Sequence, residues 1–126
     1  MAADLSQWQV MLVEDEVDAQ DVVIPILEHY GASVLAAFTA EEALTLMRAK
    51  HPTIAIIDLA LPQMNGWELL EALRADPALA DIPAVAITAY HSTNVAQEAI
   101  AAGFKAFFPK PINARTFAED LVSAIK

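Results

Sequence analysis

The chain has 126 residues, the length of one domain, with 56% in the apolar class, no cysteine and a formal charge of −10 from 17 acidic and 7 basic residues. The missing cysteines exclude disulfides, thiolate catalysis, iron–sulfur clusters and cysteine-ligated zinc. The acidic balance argues against nucleic-acid binding, which needs bases to neutralise phosphates, and no apolar run approaches the ~20 residues of a membrane span.

In chain order, residues 1–8 read as an N-terminal extension and 9–126 as the domain. Met1 to Trp8 lack the basic region and apolar stretch of a signal peptide, which predicts a cytoplasmic protein. Gln9–Val13 is a short apolar strand that stops at Glu14. Val17–Tyr30 has helical apolar spacing at Val22, Val23, Ile26 and Leu27 and ends at Gly31. Pro25 lies inside it, where a missing N–H predicts a bend. Ser33–Ala37 is the second strand. Thr39, with Glu42 three residues on, predicts a capping box for a helix running to about Lys50.

After the His51-Pro52 break comes Ile54–Ile57, an unbroken apolar run ending at Asp58. A loop to Asn65 precedes a helix over Gly66–Ala75, closed by Asp76-Pro77. Pro83–Thr88 is a strand, Asn94–Ala102 a helix, Lys105–Phe108 a short strand and Asn113–Ile125 the last helix. Strand and helix alternate five times, and strands this apolar are covered on both faces. The reading is a single doubly wound α/β domain, a five-stranded parallel sheet with helices on both faces and right-handed crossovers.

Such sheets bind ligands at the carboxyl ends of their strands. Here those ends carry Glu14 and Asp15 after the first strand, Asp58 after the third, Thr88 at the fourth and Lys110 after the fifth. Three carboxylates in one pocket repel one another unless a cation compensates. Oxygen ligands without His or Cys suit Mg²⁺ shared with a phosphate, and Lys110 adds a point charge for an anion. The set fits a phosphoryl group, with Asp58, at the end of the most apolar and therefore central strand, as the carboxylate nucleophile. A dinucleotide site or P-loop needs a Gly-rich turn after the first strand, yet the chain has only 3 glycines and meets Glu14-Asp15-Glu16 there. It also lacks the Gly-x-Ser-x-Gly elbow of a hydrolase.

Nine of the acids fall in residues 1–47, which contain no Lys or Arg, and the remainder is close to balance. Glu14 and Asp15 are assigned to the site, and Glu16, Asp18 and Asp21 to solvated helix surface. Pro62 and Gly66 shape the loop into the third helix. Trp8 and Trp67 read as packing or interface residues. His29, His51 and His91 stand at unrelated element ends, which argues against a metal site built from them.

Met11-Leu12-Val13-Glu14-Asp15-Glu16, then Ile56-Ile57-Asp58-Leu59-Ala60-Leu61-Pro62-Gln63-Met64-Asn65-Gly66, then Ala86-Ile87-Thr88-Ala89, then Lys110-Pro111, together resemble the receiver domain of bacterial response regulators. The similarity covers about residues 9–125. The resemblance implies a CheY-like (βα)5 fold and a phosphoacceptor at Asp58. It implies Mg²⁺ held by Glu14 (directly or through water), Asp15, Asp58 and the backbone carbonyl of Ala60. Thr88 and Lys110 would contact the phosphoryl oxygens, and Lys110–Pro111 is often cis in the family. Phe107 matches the family's switch aromatic, with a structural role in the core as the alternative, because aromatics are usually core.

The implied partners are a histidine kinase or histidine phosphotransfer protein as donor. A downstream protein would read the face of helix 4, strand 5 and helix 5, on a monomer or a phosphorylation-dependent dimer. Ala60 and Tyr90, each two residues past a site residue, match positions that tune hydrolysis of the acyl phosphate. Ala60 offers no group to orient water and Tyr90 can shield the site, which predicts slow self-dephosphorylation. The alternatives are a Mg²⁺-dependent phosphatase with an aspartyl nucleophile, or a degenerate receiver used only as a binding platform. Ala60, where such phosphatases carry a second Asp, argues against the first, and the intact site set argues against the second.

Overall fold

A computed structural model describes residues 3–90 and 92–125. Its elements are β1 (Gln9–Val13), α1 (Val17–His29), β2 (Ser33–Ala37), α2 (Ala40–Lys50), β3 (Ile54–Asp58), α3 (Gly66–Ala75), β4 (Ala84–Thr88), α4 (Thr93–Ala102), β5 (Phe107–Pro109) and α5 (Phe117–Ile125). All strand pairs are parallel, in the order β2-β1-β3-β4-β5. The expected doubly wound sheet is therefore what forms, with β3 at its centre.

Period-two alternation of the strands divides the core into two layers. Met11, Val13, Ala55, Ile57, Ala84 and Ala86 face α2, α3 and α4 through Leu44, Met47, Leu69, Leu73 and Ala99. Val10, Leu12, Ile54, Ile56, Val85 and Ile87 face α1 and α5 through Val23, Leu27, Phe117 and Leu121. Strands β1, β3 and β4 are buried at nearly every position, as their unbroken apolar runs require. Strand β2 departs from that expectation: Ser33 is exposed and Val34–Ala36 are half-buried, because it is an edge strand paired only with β1. Leu5, within the segment read as an extension, is fully buried, and its N–H donates to the Tyr30 carbonyl at 2.8 Å.

The element ends differ in places, each with a local cause. Helix α5 starts at Phe117 rather than Asn113, because the Asn113 side chain accepts the Arg115 N–H (2.9 Å) and closes a turn that competes with a first helical turn. Strand β5 is Phe107–Pro109 rather than Lys105–Phe108. At α2, Thr39 caps Glu42 as expected, but the Glu42 carboxylate accepts from Phe38 N rather than from Thr39 N. A complete reciprocal capping box forms instead at α3, between Asn65 and Glu68, where the sequence reading saw only a loop end. Helix α1 runs through Pro25 to His29. Trp67 packs edge-to-face on Phe104 at 5.9 Å, and Trp8 packs against the α1/α5 layer, so both are packing residues here. His29 and His51 lie at the ends of α1 and α2 and share no metal-ligand cluster among the described residues; His91 lies outside them.

No helix among the described residues is long and apolar enough to cross a membrane.

Candidate functional site

The strand order reverses between β1 and β3, the switch point at which parallel sheets open a crevice at their carboxyl edge. Val13 pairs with Ile57, so Glu14 and Asp58 emerge side by side from the two central strands. Asp58 pairs with Ile87, and Thr88 with Pro109, which brings the ends of β4 and β5 to the same edge. Lys110 is tied there by its N–H to the Thr88 carbonyl at 2.9 Å, and the Lys110–Pro111 peptide is cis, as the resemblance implied.

The Asp58 carboxylate is 4% exposed and held from two sides. Its Oδ1 accepts the Ala60 N–H at 2.9 Å and its Oδ2 accepts from Lys110 Nζ at 3.0 Å. Lys110 also forms an ion pair with Glu14 Oε1 and lies 3.6 Å from Glu16 Oε1. Glu14 Oε2 accepts the Glu16 N–H at 3.1 Å. A cavity of about 230 Å³ is lined by Asp15, Glu16, Asp58, Ala60, Ala89, Tyr90 and Lys110, and fully buried Glu14 is not among its lining residues.

Burial dominates the electrostatics. Glu14 is fully buried, and desolvation pushes its carboxyl up to about 7; Lys110 and the Glu16 N–H pull it down, and Asp58 adds to the rise. Burial alone would lower the Lys110 ammonium, but Glu14 and Asp58 beside it outweigh that and hold it above the ordinary lysine range. Three acids and one base in contact leave the pocket net negative. One carboxylate oxygen from each of Glu14, Asp15, Glu16 and Asp58 lies within 4.8 Å of the others. Glu14 Oε1 is buried against the Lys110 ammonium. An all-oxygen set gathered this closely, with more carboxylates than the single ammonium offsets, fits a hard divalent cation.

Not every expected residue enters this cavity. Thr88 is 1% exposed, and its Oγ1 accepts the Tyr90 N–H at 3.1 Å. It lines a neighbouring cavity of about 250 Å³ with Leu59, Ala60, Trp67, Tyr90 and Val95, so Ala60 and Tyr90 border both spaces. Tyr90 itself is 77% exposed, which puts its ring on the rim rather than over Asp58. Phe107 pairs with Ala86, two residues before the Thr88–Pro109 pair, and packs half-buried on the α2–α4 layer outside the cavity. Glu16 is solvent-exposed, as expected, and also joins the cluster: α1 starts only at Val17, so Glu16 belongs to the turn that follows β1 rather than to the helix surface. The run of three acids was the available signal.

A family model described as the response regulator receiver domain matches residues 10–123. An uncharacterized 14.6 kDa protein of Leptolyngbya boryana is 36% identical over 86% of this chain and 83% of its own length. The polar-differentiation response regulator DivK of Brucella ovis is 31% identical over 90% of this chain and 93% of its own. The crystal structure of the chemotaxis response regulator CheY4 of Vibrio cholerae superposes with a TM-score of 0.85 at 26% identity, covering 94% of this chain and 98% of that one.

Proposed function

Because the chain belongs to the response regulator receiver family of two-component signalling, we propose that it is a switch phosphorylated on Asp58, with residues 9–126 as the receiver unit. The observation that carries this reading is Asp58 itself, at the end of the central strand, buried, with each carboxylate oxygen held and the carboxylate bordering an open cavity. A carboxylate so held is oriented for attack before a donor arrives, which is how positioning lowers a barrier. One Asp58 oxygen attacks the phosphorus of a phosphohistidine, the P–O bond forms, the P–N bond breaks, and its electron pair returns to the imidazole of the histidine kinase or phosphotransfer protein. Lys110 follows the transferred charge because its ammonium already touches Asp58.

Glu14, Asp15, Asp58 and the backbone carbonyl of Ala60 would hold Mg²⁺. When bound, the ion supplies positive charge to the phosphoryl oxygens. Thr88, at the end of the adjacent strand, would turn its hydroxyl toward the new phosphoryl group. Its present bond to Tyr90 N ties that movement to the β4–α4 loop. Phe107 would then pack into the space that Thr88 leaves, altering the face of α4, β5 and α5 that a downstream protein reads.

Incubation with acetyl phosphate and Mg²⁺ is expected to add one phosphoryl mass to the intact protein. EDTA or Asp58→Ala is expected to abolish the adduct, and an undiminished adduct on Asp58→Ala would overturn the reading. Steady phosphate release from an unrelated ester would favour the phosphatase instead. Ala60, which borders the same cavity, presents no polar side chain to a hydrolytic water. The adduct is accordingly expected to be long-lived, and Ala60→Asn to shorten its lifetime roughly tenfold or more. A fast loss of label that Ala60→Asn leaves unchanged would refute this.

A further inference from the structure

Gln20 is a buried polar residue that the phosphoryl chemistry above does not use. It lies on α1, 6% exposed, in a helix whose other buried residues are Val23 and Leu27. Its amide turns back toward the sheet: Nε2 donates to the Glu14 carbonyl at 2.8 Å and to the Ala37 carbonyl at 3.3 Å. The Ala37 carbonyl also accepts the Glu14 N–H at 3.0 Å. Both backbone groups of Glu14 are therefore fastened, the N–H to the end of β2 and the carbonyl to Gln20.

This fastening matters most for Asp15. A peptide unit is planar, so fixing the Glu14 carbonyl also fixes the direction of the Asp15 N–H and Cα. Among the described residues no hydrogen bond or ion pair holds the Asp15 carboxylate, which is exposed and yet lies within 4.8 Å of the other acids. Its place in the cluster is set by its backbone alone. The N-cap residue Glu16 makes no side-chain capping bond, and its backbone is held by its N–H to Glu14 Oε2 at 3.1 Å and by its carbonyl to the Gln20 N–H at 3.1 Å.

We propose that Gln20 is a positioning residue for the cation site, orienting the Glu14–Asp15 peptide so that both carboxylates meet the same ion. The proposal rests on the Mg²⁺ reading given above. The plainer alternative is that Gln20 only satisfies two buried carbonyls, which would lower stability equally with and without metal.

The test compares wild type with Gln20→Met, which keeps the length and loses the donor, by calorimetric Mg²⁺ titration and by thermal unfolding in EDTA and in Mg²⁺. Groups that orient metal ligands typically contribute about 10–100-fold in metal affinity. A rise of at least about tenfold in the Mg²⁺ Kd is expected, with a smaller Mg²⁺-induced rise in Tm. Gln20→His, which keeps a ring N–H at shorter reach, is expected to fall between the two, and it carries the comparison if Gln20→Met does not fold. An unchanged Kd with equal Tm losses in both buffers would overturn the proposal alone. A wild type whose Tm and calorimetric trace ignore Mg²⁺ would overturn the metal reading and this proposal with it.

Discussion

Lys110→Ala is expected to destabilise the metal-free protein by about 3 kcal/mol at pH 8, whereas Asp58→Ala shifts it by no more than about 1 kcal/mol. The asymmetry follows from the contacts. Removing Lys110 leaves Glu14, fully buried, and Asp58, 3% exposed, as neighbouring carboxylates with no ammonium between them. Removing Asp58 leaves Lys110 still paired with Glu14 and takes away a repelling charge, which offsets the lost hydrogen bonds to Ala60 N and Lys110. Asp58→Ala therefore loses the phosphoryl adduct while remaining folded, so the chemical defect is separable from a folding defect.

The Lys110→Ala deficit depends on pH and on metal. Glu14 has its folded pKa raised from 4.5 to about 7, with Lys110 working against the rise. In EDTA near pH 5 the carboxyl is protonated in the folded state with or without Lys110, so little of its pairing is lost. As pH rises through about 7 the folded wild type ionises Glu14 against Lys110, and the variant has to ionise it unpaired. The deficit is thus smaller at pH 5 than at pH 8. Mg²⁺ stabilises both proteins, but it is expected to narrow the deficit, because without the competing ammonium the variant's acids bind the ion more tightly. Urea titrations at the two pH values, with and without Mg²⁺, measure all of this. A deficit independent of both would show that Lys110 is not the counter-charge of these acids.

Gly66→Ala is expected to destabilise the fold by about 3 kcal/mol through a steric conflict behind the site. Gly66 opens α3, and its N–H donates to the Leu59 carbonyl at 3.1 Å, so the loop after Asp58 returns against its own strand. A Cβ here would stand 2.5 Å from the Asp58 carbonyl oxygen, 2.7 Å from Leu59 Cα and 3.0 Å from Ile57 Cγ2. Two of those three are backbone atoms of the central strand and its exit, which cannot rotate aside as a side-chain end can. The strain relaxes only by moving β3's end or α3's start, so slower adduct formation should accompany the lower urea midpoint. A loss under about 1 kcal/mol with an unchanged rate would mean that α3 shifts without disturbing Asp58.

Much of the molecule was legible from the order of its residues. Five apolar runs alternating with helical spacings dictate a parallel sheet, because only helices packed on both faces bury such strands. The likeness of β3 on every side, Ile54 to Ile57, marked it as central, and Asp58 ends it. Strand-end residues could be read as converging because carboxyl ends of parallel strands share one edge. Less legible were features that depend on a competing local bond or a partner strand. The start of α5 turned on an Asn113 side chain that prefers a turn, and the exposure of β2 on its having one neighbour.

The sequence by itself determined the fold class, the family, and the identity of Glu14, Asp15, Asp58, Thr88 and Lys110 as the residues of one edge. Only the tertiary structure decided how they meet. It made Lys110 the common partner of Glu14 and Asp58, brought Glu16 into the cluster and set Phe107 and Thr88 beside rather than inside the cavity. It also turned Gln20 back onto the Glu14 carbonyl. The reason is one of range. Hydrophobic periodicity is a local property that a one-dimensional pattern carries in full. The position of a charge depends on which desolvated neighbours surround it, and those come from residues as far apart in sequence as Glu14, Asp58 and Lys110.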